Sequence, residues 1–328
     1  MLDIREIKMF PDDVFVLDHV TALQGHKINW GHDIDKIESI LQQKLDEAIA
    51  SNQYKHYAFN TSLDGWVKLF DNFVQTNPNL LCFTGCLDVD NPRWIWWPHW
   101  QIVTDTDTPP ITNPSLPDLR WQFWVRRPRQ HRIELVKNIA HRQTPFGDII
   151  FPTHLIEPTG RTYPTTRELF QDDDLYNSIH SQFNPAVDIP QGENGAYHGS
   201  YQLRSQRAID VVTETMTNSQ NGIYFSEKTH KAIRSGQLFL ILGQQHCIRS
   251  LRDYGYKTFD NVIDHSYDLE SDMPTRAKMI ADELDRLSSL SQSDFRDLWT
   301  STYNDRLYNQ QYKKYNLDYW KKYLHSFF

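Results

Sequence analysis

Cysteine is scarce in this 328-residue chain. Cys82, Cys86 and Cys247 form no CxxC pair, which argues against a disulfide framework or a structural zinc site. Long apolar runs are missing as well. Asp3, Arg5, Glu6, Lys8, Asp12 and Asp13 interrupt the start of the chain, so no signal peptide or membrane anchor is expected and the chain reads as cytoplasmic. Positive charge is in deficit, with 34 Lys and Arg against 42 Asp and Glu. The formal net charge of −8 argues against a protein that grips a polyanion over its whole surface. The 14 His are scattered, and Asp172, Asp173 and Asp174 point in different directions as neighbours in sequence, so no metal site is expected.

Aromatic residues are plentiful at 13%, beside 39% hydrophobic and 23% charged, a globular balance with enough chain for two domains. Periodicity predicts a strand at 14–17, a helix over 33–51, a strand at 57–60, a helix over 63–75 and a strand at 80–84. A proline-rich polar segment, 104–118, reads as a linker. Beyond it a strand at 121–125, a helix over 130–141, and strands at 149–151, 208–213, 238–242 and near 256–258 are expected. Helices over 274–290 and 293–308 follow. A long polar stretch at 152–199 shows no period. The tail from Tyr312 interleaves lysines with tyrosines at helical spacing and reads as a docked helix. Alternating strands and helices imply an α/β chain with two Rossmann-like domains facing across a cleft. The expected domains are 1–112 on the acceptor side, 113–290 on the donor side, and 291–328 as a helical tail returning toward the first.

The most informative segment is 222–243. Ser226 suits an N-cap, Glu227 and Lys228 fall in the first helical turn, and Gly236 ends the helix before the apolar run Leu238 to Leu242. A helix N-terminus with an adjacent Lys suits a phosphate, and a carboxylate beside it suits a ribose diol. The basic run Arg126, Arg127, Arg129, His131 and Arg132 offers further positive charge.

Tyr224, Glu227, Lys228, Ala232, Gly236 and Gly243 resemble the donor-site motif of the fucosyltransferases that use GDP-fucose, with Ser226 in place of the usual Thr and Leu238 or Phe239 where Pro is common. The runs Asn79 to Asp88, Trp97 to Trp100 and Phe123 to Lys137 resemble that family's other segments in the same order, and Glu214 in 211–215 matches its Glu. A further likeness is to predicted sugar transferases of large bacteriophages and cyanobacteria. The resemblance implies an inverting glycosyltransferase of GT-B architecture, with a nucleotide-diphosphate sugar as donor and no cofactor or metal required. Donor binding is then expected from Glu227, Lys228, Arg132, Tyr224, Glu214 and Ser226. Cys86 stands where the family carries its general base, so Asp88 is the first candidate for that role and Asp18 the second. The acceptor is expected to be a glycan or similar hydroxyl compound. Two alternatives stay open: glycosylation of a hydroxymethylated base in phage DNA inside the host, with Arg126, Arg127 and Arg129 on the phosphates, and a non-catalytic nucleotide-sugar binding protein.

Overall fold

The computed structural model describes residues 10–18, 22–23, 33–61, 70–87, 89, 91–96, 115–117, 119–125, 129–142, 144–150, 174, 177, 206–217, 222–312 and 322–328. Asp88, Arg126, Arg127, most of the 104–118 linker and nearly all of 152–199 lie outside them. The chain is α/β with parallel sheets, and it divides into two compact units. One comprises Met1–Thr106, Ser219–Phe225 and Lys314–Phe328, the other Asp107–Asn218 and Ser226–Lys313. The helices just beyond 290 therefore group with the second unit, and the last fifteen or so residues with the first.

In the first unit, β1 (Val14–Asp18), β2 (His56–Asn60), β3 (Leu81–Thr84) and β5 (Trp94–Trp96) form a parallel sheet in the order β1-β2-β3-β5. Helix α1 (Ile34–Ser51) buries Ile37, Leu41, Leu45 and Ala48, spaced so that they share one face. It stops at Asn52, whose left-handed backbone lets its N–H reach Ile49 O. Phe59 packs edge-on against Phe70 and, from α2 (Asp71–Thr76), Phe73. A second cluster joins Val14, Ala58 and Phe83 to Leu324, with Phe10, Phe327 and Phe328 against it. The chain terminus is thus part of a core. Leu324→Ala removes a fully buried side chain and is expected to cost about 3 kcal/mol in chemical denaturation. A loss under about 1 kcal/mol would show that the terminal segment is not docked there in solution.

A two-residue antiparallel ladder pairs β4 (Cys86–Leu87) with β9 (Ile223–Tyr224). Gly222 makes it possible: its φ is +79°, and a Cβ there would lie 2.4 Å from Leu87 O.

The second unit carries a parallel sheet in the order β10-β8-β6-β7, built from β6 (Leu119–Trp124), β7 (Gly147–Ile150), β8 (Arg207–Thr213) and β10 (Leu238–Leu242). Every residue of β8 and β10 is buried, as expected of parallel strands covered on both faces. Helix α3 (Gln130–Arg142) packs against α6 (Met273–Ser288), and α8 (Tyr303–Gln311) against α4 (Glu227–Arg234). Buried arginines meet carbonyls that helices leave unpaired. Arg306 donates to Gly236 O and Trp299 O with its guanidinium 3.3 Å from the centre of the Trp299 ring, and Arg234 donates to the carbonyls of Asn309, Gln310 and Tyr312.

Two elements differ from the sequence reading. The expected helix over 293–308 is two helices, α7 (Gln292–Ser301) and α8, divided at Thr302, whose hydroxyl donates to Leu298 O and Trp299 O. The expected strand near 256–258 is absent. Tyr256 N instead closes α5 (Cys247–Asp253) onto Leu251 O, and the Asn309 side chain brackets Lys257 by accepting from its N–H and donating to its carbonyl.

Candidate functional site

Strand order in the second unit reverses between β6 and β8. The chain makes β6 first, adds β7 on one side, and then returns to place β8 and β10 on the other. In open parallel sheets the crevice outside the strand ends at such a reversal is where ligands bind. Here the reversal brings the start of α3, which follows β6, and the start of α4 to the residues that leave β8.

Glu214, directly after β8, is the hub. It is fully buried. Its carboxyl oxygens accept from Ser226 N at 3.2 and 3.1 Å, from Thr215 N at 3.2 Å and from the Thr229 hydroxyl. Its own N–H donates to Leu242 O at 2.9 Å, fixing the strand end. Its carbonyl meets His131 Nε2 at 3.0 Å. Because a carbonyl can only accept, that imidazole nitrogen carries the proton.

Helix α4 begins as the sequence predicts. Ser226 is extended, and its side chain accepts from Lys228 N. The helix closes at Gly236, where φ is +66° and the N–H groups of Gly236 and Gln237 return to Ile233 O and Ala232 O. Lys228 Nζ lies 3.0 Å from Glu227 Oε1, 3.1 Å from Ser226 Oγ and 3.4 Å from Thr215 Oγ1. Arg129, just before α3, donates to Thr215 O at 2.6 Å. Arg132 is buried in the first turn of α3. The structure therefore gathers Lys228, Glu227, Ser226, Glu214 and Arg129 into one bonded cluster. Arg132, like Lys228 and Arg129, acts on His131 through its charge.

Electrostatics record this crowding. Burial, then the charges of Arg132 and Arg129, and then Lys228 against the opposing bond to Glu214 O, hold His131 down at about 3. Burial and the Arg234 charge do the same to His230, also to about 3, against the pull of Glu227. For Glu227, burial pushes the carboxyl up, but Lys228 and Lys231 overcome it and the group falls to about 2. Both histidines bind more protons unfolded than folded between pH 6.5 and about 3. Stability is accordingly expected to fall as pH drops through that window, by up to about 1.4 kcal/mol per pH unit for each ring. Glu227 adds stability that is present above 4.5 and lost toward 2. Urea midpoints measured from pH 7.5 to 4 test this, and a flat profile between 6.5 and 5 would contradict it.

Tyr224 is buried in the β4–β9 ladder of the first unit. Asp18 ends β1 and accepts from Asn60 Nδ2 at 3.1 Å. Cys86 is buried, and burial lifts its thiol to about 12 despite the Thr84 hydrogen bond, so it stays protonated at neutral pH. Asp88, Arg126 and Arg127 lie outside the described residues. The sequence reading missed Thr215, Thr229 and the tethering role of His131. The Thr-Glu-Thr run at 213–215 was the available signal. Among the described residues, no group of three or more His, Cys, Asp or Glu could hold a metal ion, and no helix is long and apolar enough to cross a membrane.

No protein-family model and no curated protein matches the chain. Among solved structures, an α,α-trehalose-phosphate synthase (UDP-forming) from Burkholderia vietnamiensis aligns over 89% of this chain and 62% of its own, at 8% identity and a TM-score of 0.35. The chain thus spans less than two thirds of that synthase, and a likeness so distant carries no argument about activity.

Proposed function

We propose that the chain is a glycosyltransferase that takes its sugar from a nucleotide-diphosphate donor held in the second unit. The observation that carries this is the position of Lys228 at the capped start of α4, tied through Thr215 to Arg129, at the reversal of a parallel sheet. Fixed positive charge at a helix N-terminus is what a leaving diphosphate requires as its bond to the sugar breaks. Lys228 and the Arg129–Arg132 turn take the phosphates in this reading, and Glu227 takes the ribose. Glu214 acts by holding the parts together, since its oxygens already accept from Ser226, Thr215 and Thr229.

The acceptor hydroxyl attacks the anomeric carbon while a carboxylate takes its proton, the nucleoside diphosphate departs, and the anomeric configuration inverts. Asp88 or Asp18 of the first unit is the proposed base. The protonated Cys86 thiol is unsuited to that role.

The test is a thermal-shift panel of GDP-, UDP- and CDP-sugars followed by transfer and hydrolysis assays on Asp88→Asn and Asp18→Asn. One nucleotide class is expected to stabilise the protein, by about 2.7 kcal/mol at 100 times its dissociation constant, and one of the two variants to lose turnover while keeping donor affinity. Tight binding with no turnover in wild type would instead establish the non-catalytic reading, which the raised Cys86 thiol favours. Transfer to hydroxymethylated duplex DNA in place of oligosaccharide would establish the DNA acceptor.

A further inference from the structure

The immediate surroundings of Lys228 pose a problem for any phosphate that approaches it. An ammonium group has three N–H donors and no more. Those of Lys228 face Glu227 Oε1 at 3.0 Å, Ser226 Oγ at 3.1 Å and Thr215 Oγ1 at 3.4 Å, so each has an acceptor. The two hydroxyls do not oppose a ligand anion, because each can turn its own O–H toward a phosphate oxygen. The carboxylate does oppose it. Glu227 presents a full negative charge to the same ammonium, in a setting where its side chain is only 15% exposed and that of Lys228 23%. A phosphate must displace that carboxylate or bind beside it against its repulsion.

A carboxylate released from an ammonium needs a new partner, and the one that suits it at such a site is a pair of vicinal hydroxyls, as in ribose recognition at the ends of parallel strands. Lys231, one turn further along α4, also acts on this carboxylate, which eases its departure from Lys228.

We propose that Glu227 is a specificity-determining residue: its carboxylate occupies Lys228 until a ligand bearing a vicinal diol engages it, so that ribonucleoside diphosphates gain the site and bare diphosphates are held off. This rests on the nucleotide-sugar reading above and adds to it the coupling between ribose and phosphate recognition. The ligand's sugar ring does more than contribute two hydrogen bonds. It removes the internal anion that competes for the ammonium, and the two effects multiply.

Calorimetric titration of wild type and Glu227→Gln with GDP, UDP, CDP, the matching 2′,3′-dideoxynucleoside diphosphate and inorganic pyrophosphate tests the coupling. In wild type, the dideoxy compound is expected to bind about 100-fold more weakly than its ribose counterpart, beyond the roughly tenfold that lost hydrogen bonds alone would give. In Glu227→Gln, pyrophosphate is expected to bind about tenfold more tightly and the ribonucleoside diphosphate about tenfold more weakly. Opposite signs for the two ligands are the signature. Should both tighten together, Glu227 is no more than a nearby charge and the proposal is overturned; unchanged pyrophosphate binding overturns it equally. If the variant does not fold, the wild-type dideoxy ratio decides alone, with a value near tenfold counting against the coupling. If none of GDP, UDP and CDP binds wild type, the nucleotide-sugar reading fails, while the pyrophosphate comparison still reads the competition for Lys228.

Discussion

Lys228→Met is expected to weaken binding of the donor nucleotide about 100-fold while leaving the protein folded. The methionine keeps most of the apolar stem and removes only the ammonium. Of the groups it leaves behind, Glu227 and Thr215 are partly exposed, so that water can replace the lost donor, and the buried Ser226 Oγ keeps the Lys228 backbone N–H. Stability should therefore change by less than about 1 kcal/mol, in line with what partly exposed ion pairs contribute. The ligand has no such substitute, because its phosphates lose a charge-assisted partner held in place by two hydroxyls. Titration calorimetry on the two proteins gives the ratio. Arg129→Met is the companion: its guanidinium is tied to Thr215 O, so it should weaken binding less. An affinity for Lys228→Met within threefold of wild type would remove the phosphate site from α4.

The second large effect falls on stability. Glu214→Ala removes the acceptor for two backbone N–H groups, Ser226 and Thr215, and for the Thr229 hydroxyl, at a position with no access to solvent. Each buried donor left without a partner costs about 1–3 kcal/mol, and a loss of about 4 kcal/mol overall is expected from equilibrium denaturation. Glu214→Gln retains one acceptor oxygen and should lose roughly half as much. It should also shift nucleotide affinity, because the Ser226 and Thr215 backbone set the hydroxyls that hold Lys228. If Glu214→Ala costs under 1 kcal/mol, the hub described here does not organise the site.

Local elements of this site were legible in the sequence wherever one short stretch decides the geometry. Ser226, Glu227, Lys228 and Gly236 specify a capped helix through residues within ten positions of one another, and α4 forms as they require. Strands β8 and β10 were legible for a similar reason, as uninterrupted apolar runs. What escaped was structure made by distant pairs. The bond from Arg129 to Thr215 O joins residues 86 apart, and that from His131 to Glu214 O joins residues 83 apart; neither leaves a periodic trace. Tyr256 to Thr258 has the composition of a strand, yet Asn309 supplies the hydrogen bonds a neighbouring strand would have supplied. Thr302 is an ordinary residue in a helical pattern until its hydroxyl turns back on Leu298 and Trp299.

The order of strands in the second unit also bears on how the chain emerges from the ribosome. Strand β6 must wait for β8, whose first residue follows its last by more than eighty positions, and until then one edge of the nascent sheet is open to any other extended chain. At typical elongation rates of about 5–20 residues per second that delay is roughly 4–17 s. The first unit waits longer still, because Leu324, Phe327 and Phe328, which pack around Phe83, follow it by about 240 positions. Both sheets are thus candidates for chaperone protection during synthesis, and truncated chains lacking the last few residues should accumulate in aggregates.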